Sequence, residues 1–115
     1  MINRRNLREA VLKALYAFLL SNDDAAHVIA TQIKPEAKDK DELQFAEKLF
    51  LSTARNGEEY DKYIDSRIKN WELSRIALVD KIILRMAICE FITFEDIPTK
   101  VTINEAIEVA KKFST

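Results

Sequence analysis

Apolar positions recur at helical spacing along almost the whole chain. Leu7, Val11, Ala14 and Phe18 fall at i, i+4, i+7 and i+11, one face of a helix from Asn3 or Arg4 to Leu20 with Asn3 as its N-cap. Ser21-Asn22-Asp23-Asp24 supplies turn chemistry, and Val28, Ile29 and Ile33 mark a shorter helix. Lys34-Pro35 is expected to stop it, because a residue before proline avoids helical geometry. The polar run from Glu36 to Glu42 reads as a solvated linker. A third helix, Leu43 to about Ala54, turns Phe45 or Ala46, Leu49, Phe50 and Thr53 inward. Asn56-Gly57 is the expected internal break, glycine tolerating the left-handed conformation at a helix end. A fourth helix then carries Tyr60, Tyr63, Ile64, Ile68 and Trp71.

The longest apolar run, Arg75 to Phe94, is charged only at Arg75, Asp80, Lys81, Arg85 and Glu90. Asp80, Lys81 and Arg85 share one arc of the wheel, and Glu90 sits apart on the far side. A helix apolar nearly all round belongs among other helices, so this one, with Ser74 as a cap, is expected at the centre. Charges every few residues argue against a membrane span. Glu95-Asp96-Ile97-Pro98 forces a loop. Thr102-Ile103-Asn104-Glu105 is a capping-box signature, opening a last helix with Ile103, Ala106, Ile107, Ala110 and Phe113 on its apolar side.

Composition narrows the class. The chain has 115 residues, with one glycine and two prolines. That scarcity disfavours all-β folds and glycine-rich phosphate loops and leaves a single all-α domain spanning residues 1–115. The net charge of −1 means nucleic-acid binding must rest on a local patch or a partner. The lone cysteine, Cys89, falls in the apolar run and suits a reducing compartment. No secretory cleavage site follows Leu20, and a cytoplasmic protein is expected.

Catalysis finds little support. His27 has no matching nucleophile within reach, and Cys89 has no partner for a zinc set. No enzyme, metal or cofactor is expected. Arg4, Arg5 and Arg8 are more informative, because they crowd the helix end where the dipole disfavours cations. Arginine forks suit phosphates, yet Arg8 could equally pair with nearby carboxylates. Arg5, Glu9, Leu12 and Tyr16 share an arc away from the core stripe, which resembles a partner-docking face; Tyr16 could equally be a core-edge tyrosine. Lys111 and Lys112 are expected at a helix C-terminus on dipole grounds. Asp80 and Arg85 are either paired internally or exposed on a partner-facing seam.

These residues together resemble a known pattern. Arg4-Arg5-x-x-Arg8-Glu9-Ala10 with Ala14-Leu15-Tyr16 is similar to the opening helix of the NusB family of bacterial transcription antitermination factors. Residues 79–90 (VDKIILRMAICE) resemble its central helix, and residues 97–113 (IPTKVTINEAIEVAKKF) its most specific stretch. The resemblance implies a bundle of about six helices around a central one at about 75–94. Two subdomains, about 1–56 and about 57–115, would pack together. It implies pairing with the ribosomal protein NusE, binding of boxA-type single-stranded RNA, and entry into the transcription elongation complex for readthrough of ribosomal RNA operons. By position, Arg4, Arg5, Arg8, Arg85 and Lys100 would face RNA. Tyr16 and Asp80 would dock NusE, alongside Glu9 and Leu12 on the same arc. The family continues past the position of Phe113 into a further helix, so an exposed apolar face is expected on the carboxy-terminal half. The alternative is a helical interaction or homodimerisation domain without RNA binding. A leading domain of a ribosomal RNA methyltransferase would need a downstream catalytic domain that these residues do not encode.

Overall fold

The computed structural model describes residues 4–67 and 76–114. The expected N-cap Asn3, the core positions Ile68 and Trp71, the cap Ser74 and the helix start at Arg75 lie outside the described residues. Within them the chain is helical: α1 (Arg4–Leu20), α2 (Ala25–Val28), α3 (Lys40–Arg67), α4 (Leu78–Thr93) and α5 (Thr99–Phe113). α2 runs on as a π-helical turn, Ile29–Ile33, and a 3₁₀ turn, Lys34–Glu36. No strand occurs among the described residues, and no helix there is long and apolar enough to cross a membrane.

α1 is the most completely enclosed helix. Leu7, Val11, Leu12, Ala14 and Leu15 are each at most 2% exposed, because α3, α4, α5 and the π-helical turn pack around it. Phe18 meets the Phe50 ring of α3 edge-on at 5.6 Å. α4 packs on α1, α3 and α5, as a central helix must, and buries Ile82, Ile83, Met86 and Cys89. Its last turn nonetheless turns Phe91 and Ile92 outward.

Several local expectations change. Lys34 precedes Pro35 yet has helical φ −55° and ψ −42°; Pro35 sits in the first turn of the 3₁₀ segment, where a missing N–H costs nothing. The polar run is not all linker. α3 begins at Lys40, the Glu42 N–H donates to Asp39 Oδ1 at 2.8 Å, and buried Glu42 accepts the Lys38 N–H at 2.9 Å. The expected break at Asn56-Gly57 is present: two helical segments of α3 meet at a kink where Asn56 departs to φ −110°, ψ 17°, while its amide donates to the Ser52 carbonyl. Gly57 is not left-handed. It allows a close approach, since a Cβ there would lie 2.9 Å from Arg85 Nη1, the end of a side chain held by Asp61.

α5 keeps part of its expected face, Ala106, Ala110 and Phe113 packing against the core, but Ile103 and Ile107 turn away from it. The helix starts at Thr99, so Thr102 and Glu105 lie inside it and form no capping box. Thr102 and Val109 are buried, whereas Val101, Ile103 and Ile107 are exposed. The reason is polar: Thr102 donates to Glu90 and Glu105 receives Arg5. Satisfying these groups turns the isoleucines outward, since an unpaired buried carboxylate costs more than an exposed isoleucine.

Candidate nucleic-acid interface

The arginine-bearing start of α1 meets three other helices. Phe45 in the second turn of α3 and Phe94 at the end of α4 meet at a tilt of 57° with centroids 5.1 Å apart, and the Arg4 guanidinium lies 4.4 Å from the Phe45 ring centroid. Arg5, half exposed, donates Nε and Nη2 to the two carboxylate oxygens of Glu105, each at 2.9 Å. Those hydrogen bonds, then the charges of Arg5 and Arg8, hold the Glu105 carboxyl below its ordinary pKa against the opposing effect of burial. The same bonds raise the already high pKa of Arg5.

Arg8 corrects the expectation of an RNA-facing side chain. It is buried, donating Nε to Glu90 Oε2 at 2.8 Å and Nη2 to Glu90 Oε1 at 2.7 Å. Thr102 Oγ1 adds a third hydrogen bond to Glu90 at 3.1 Å. The carboxylate that stands apart on the α4 wheel is therefore the anchor for α1 and α5. A group so enclosed cannot reach a phosphate without breaking a buried pair.

Arg85 is also paired. It donates to Asp61 of α3 through Nε at 2.8 Å and through Nη2, and these bonds raise its pKa. The guanidinium lies against Gly57, so its place is the kink of α3 and not the arginine end. Lys100 is exposed in the first turn of α5.

The candidate docking arc divides similarly. Leu12 is 2% exposed, contrary to a surface contact, because α1 is packed on that side too. Glu9 is held at 2.8 Å by Lys112 from the end of α5, which gives that lysine a structural partner beyond the helix dipole. Tyr16 is 41% exposed at the rim of an apolar groove of about 270 Å³ lined by Leu12, Lys13, Val79 and Phe113. Asp80, the neighbour of Val79, is half-buried in the first turn of α4. The fold thus brings the Tyr16 side of α1 and the start of α4 to one groove, with Leu12 in its lining.

Sequence reasoning missed Lys48 and Phe94 at the arginine end, and took Phe45 only as core. The spacing of Phe45 and Lys48 places them on one side of α3, but nothing local brings them to α1.

The NusB family profile matches residues 5–115. The chain belongs to the NusB family. This is a family of transcription antitermination factors, not of enzymes. Three relatives, each named transcription antitermination protein NusB, come from Salinibacter ruber, Natranaerobius thermophilus and Chloroherpeton thalassium. The first is 42% identical over 116 residues, spanning all of this chain and 72% of the relative. The second is 40% identical, spanning 99% of this chain and 84% of the relative. The third is 38% identical, spanning all of this chain and 55% of the relative. A solved structure of T. maritima NusB superposes with a TM-score of 0.85 at 32% identity, covering 99% of this chain and 80% of that one. The helical NusB architecture and its helix order therefore extend across the described residues.

Proposed function

We propose that this NusB-family chain is a cytoplasmic transcription antitermination factor. It binds boxA-type single-stranded RNA together with NusE and joins the transcription elongation complex to support readthrough of ribosomal RNA operons. The observation that carries this reading is the solvent-facing arginine end of α1, on the same helix as the Tyr16 groove, in a chain that matches the family along nearly its whole length. Arg4, Arg5 and Lys100 contact RNA. Tyr16 and Asp80 take NusE at the groove. Arg8 and Glu9 act as positioning residues, pinning α1 against α4 and α5 through Glu90 and Lys112. Arg85 fixes the α3 kink through Asp61.

With a net charge of −1 and few phosphate contacts, binding by the chain alone is weak, and a partner that adds contacts strengthens it. The test is a gel-shift titration of boxA-type RNA at two salt concentrations, with and without NusE. Salt-sensitive binding that tightens with NusE and weakens in Arg5→Ala supports the proposal. A flat titration at physiological salt in both conditions overturns it in favour of an interaction or homodimerisation domain. The outward-facing Phe91, Ile92, Val101, Ile103 and Ile107 are the apolar surface that the second reading would use.

A further inference from the structure

Two cations at the arginine end bear on aromatic rings and meet no carboxylate among the described residues. Arg5, Arg8, Arg85, Lys111 and Lys112 each meet a carboxylate. Arg4 and Lys48 lie over aromatic rings without such a partner: Arg4 4.4 Å from the Phe45 centroid and Lys48 Nζ 5.3 Å from the Phe94 centroid. Arg8 also lies over Phe45, at 5.4 Å, but its guanidinium is committed to Glu90. Neither forms an ion pair with a described residue, although Glu95 and Asp96 follow Phe94 directly in the loop. The two rings touch each other, tilted by 57°, so each cation bears on one member of a contacting aromatic pair. α1 and α5 both start with no acidic residue of their own in the first turn.

A ring beneath a cation removes much of its rotamer freedom before any ligand arrives. For arginine this matters twice, because a planar, weakly hydrated guanidinium can stack on a protein ring with one face and a base with the other. Lysine presents a point charge, suited to a phosphate oxygen. Unpaired bases with flanking phosphates are what single-stranded RNA offers, and an acidic peptide has no planar group for the arginine face.

We propose that Arg4, held on Phe45, is the stacking plane for one unpaired RNA base, and that Lys48, held on Phe94, takes an adjoining phosphate. The proposal rests on the RNA reading above and adds Lys48, with Phe45 and Phe94 as positioning residues, to the cations of α1 and α5. Phe45 and Phe94 are buried and do not themselves meet the base.

The experiment uses boxA-type RNA carrying a fluorescent purine analogue at successive positions, titrated with the wild-type chain in the presence of NusE. One position is quenched on binding. Arg4→Lys keeps the charge but loses that quench and weakens binding about five-fold or more, the lower range of a base-stacking loss. Lys48→Gln keeps the quench, weakens binding several-fold at low salt, and flattens the plot of log K against log salt by about 0.7. Phe45→Leu, verified as folded by circular dichroism, loses the quench with every charge in place. Wild-type binding with quench and salt slope unchanged in both Arg4→Lys and Lys48→Gln overturns the inference while leaving the RNA reading intact. Absence of RNA binding by the wild type overturns both. Lys48 is exposed, so its variant tests the inference without a folding cost.

Discussion

Replacing Glu90 by Gln changes one atom type and no volume, so it isolates the charge that holds α1, α4 and α5 together. In the native chain both carboxylate oxygens are occupied, one by Arg8 Nε and the other by Arg8 Nη2 and Thr102 Oγ1. The Arg8 and Glu90 side chains are 6% and 3% exposed, so solvent cannot replace what is lost. The amide turns one acceptor into a donor facing the guanidinium and leaves a buried positive charge uncompensated. Breaking one member of such a pair costs about 3–5 kcal/mol. Glu105 Oε1, 3.9 Å from Arg8 Nη1, offsets part of this, which puts the expectation near the lower bound. A domain of this length has about 6–17 kcal/mol of total stability, so the loss is a substantial fraction. Urea unfolding followed by circular dichroism should show a lower midpoint with an unchanged slope. Arg8→Met alone should cost a similar amount. The double replacement Arg8→Met with Glu90→Leu should recover most of the loss, leaving about 1 kcal/mol for the orphaned Thr102 hydroxyl. Two single variants that each cost under about 1 kcal/mol and add without coupling would refute the reasoning. They would also reopen a direct RNA role for Arg8.

Four further outcomes follow from the same geometry. Gly57→Ala should be neutral or destabilising in the native chain, because Asp61 holds the Arg85 head against the new methyl; in an Arg85→Ala background the same change should stabilise by about 1 kcal/mol in urea melts. Tyr60 has its pKa pushed up to about 12, first by burial and then by Cys89. Its stabilising contribution is present below the unfolded tyrosine value of about 10 and lost as pH rises towards the folded value, so phenolate absorbance should show Tyr60 ionising above the ordinary tyrosine range, together with alkaline unfolding. Glu105 has a lowered folded pKa, so its contribution is present above the ordinary carboxylate value and lost as pH falls through the folded one; Glu105→Gln should remove that acid-limb dependence in pH-resolved melts. Because it also removes the negative charge beside Arg5, the same variant should tighten RNA binding at low salt in the gel shift, and an unchanged affinity would count against an Arg5 contact to phosphate. Finally, Val109→Ala should cost about 2 kcal/mol while Ile107→Ala costs under about 1, the reverse of what the apolar pattern of α5 suggests; thermal melts decide between the two faces.

The helical class, the order of the helices and the core stripe Leu7-Val11-Ala14 were legible in the sequence, because spacing and scarce breakers are local properties and helices form from local hydrogen bonds. The family was legible too, since residues 97–113 carry a motif read without coordinates. Which side of each helix faces which neighbour was not. Leu12 looked like surface and is core because α3, α4, α5 and the π-helical turn pack around α1. Ile103 and Ile107 looked like core and are surface because Thr102 and Glu105 have partners on α4 and α1. The three arginines of α1 look alike in sequence, yet one lies on a ring, one is latched at the surface and one is buried. Their fates depend on Phe45, Glu105 and Glu90, residues 41, 100 and 82 positions away. Periodicity tells a helix that it has a face; only the packed structure, where every buried charge must find its partner, decides which face that is.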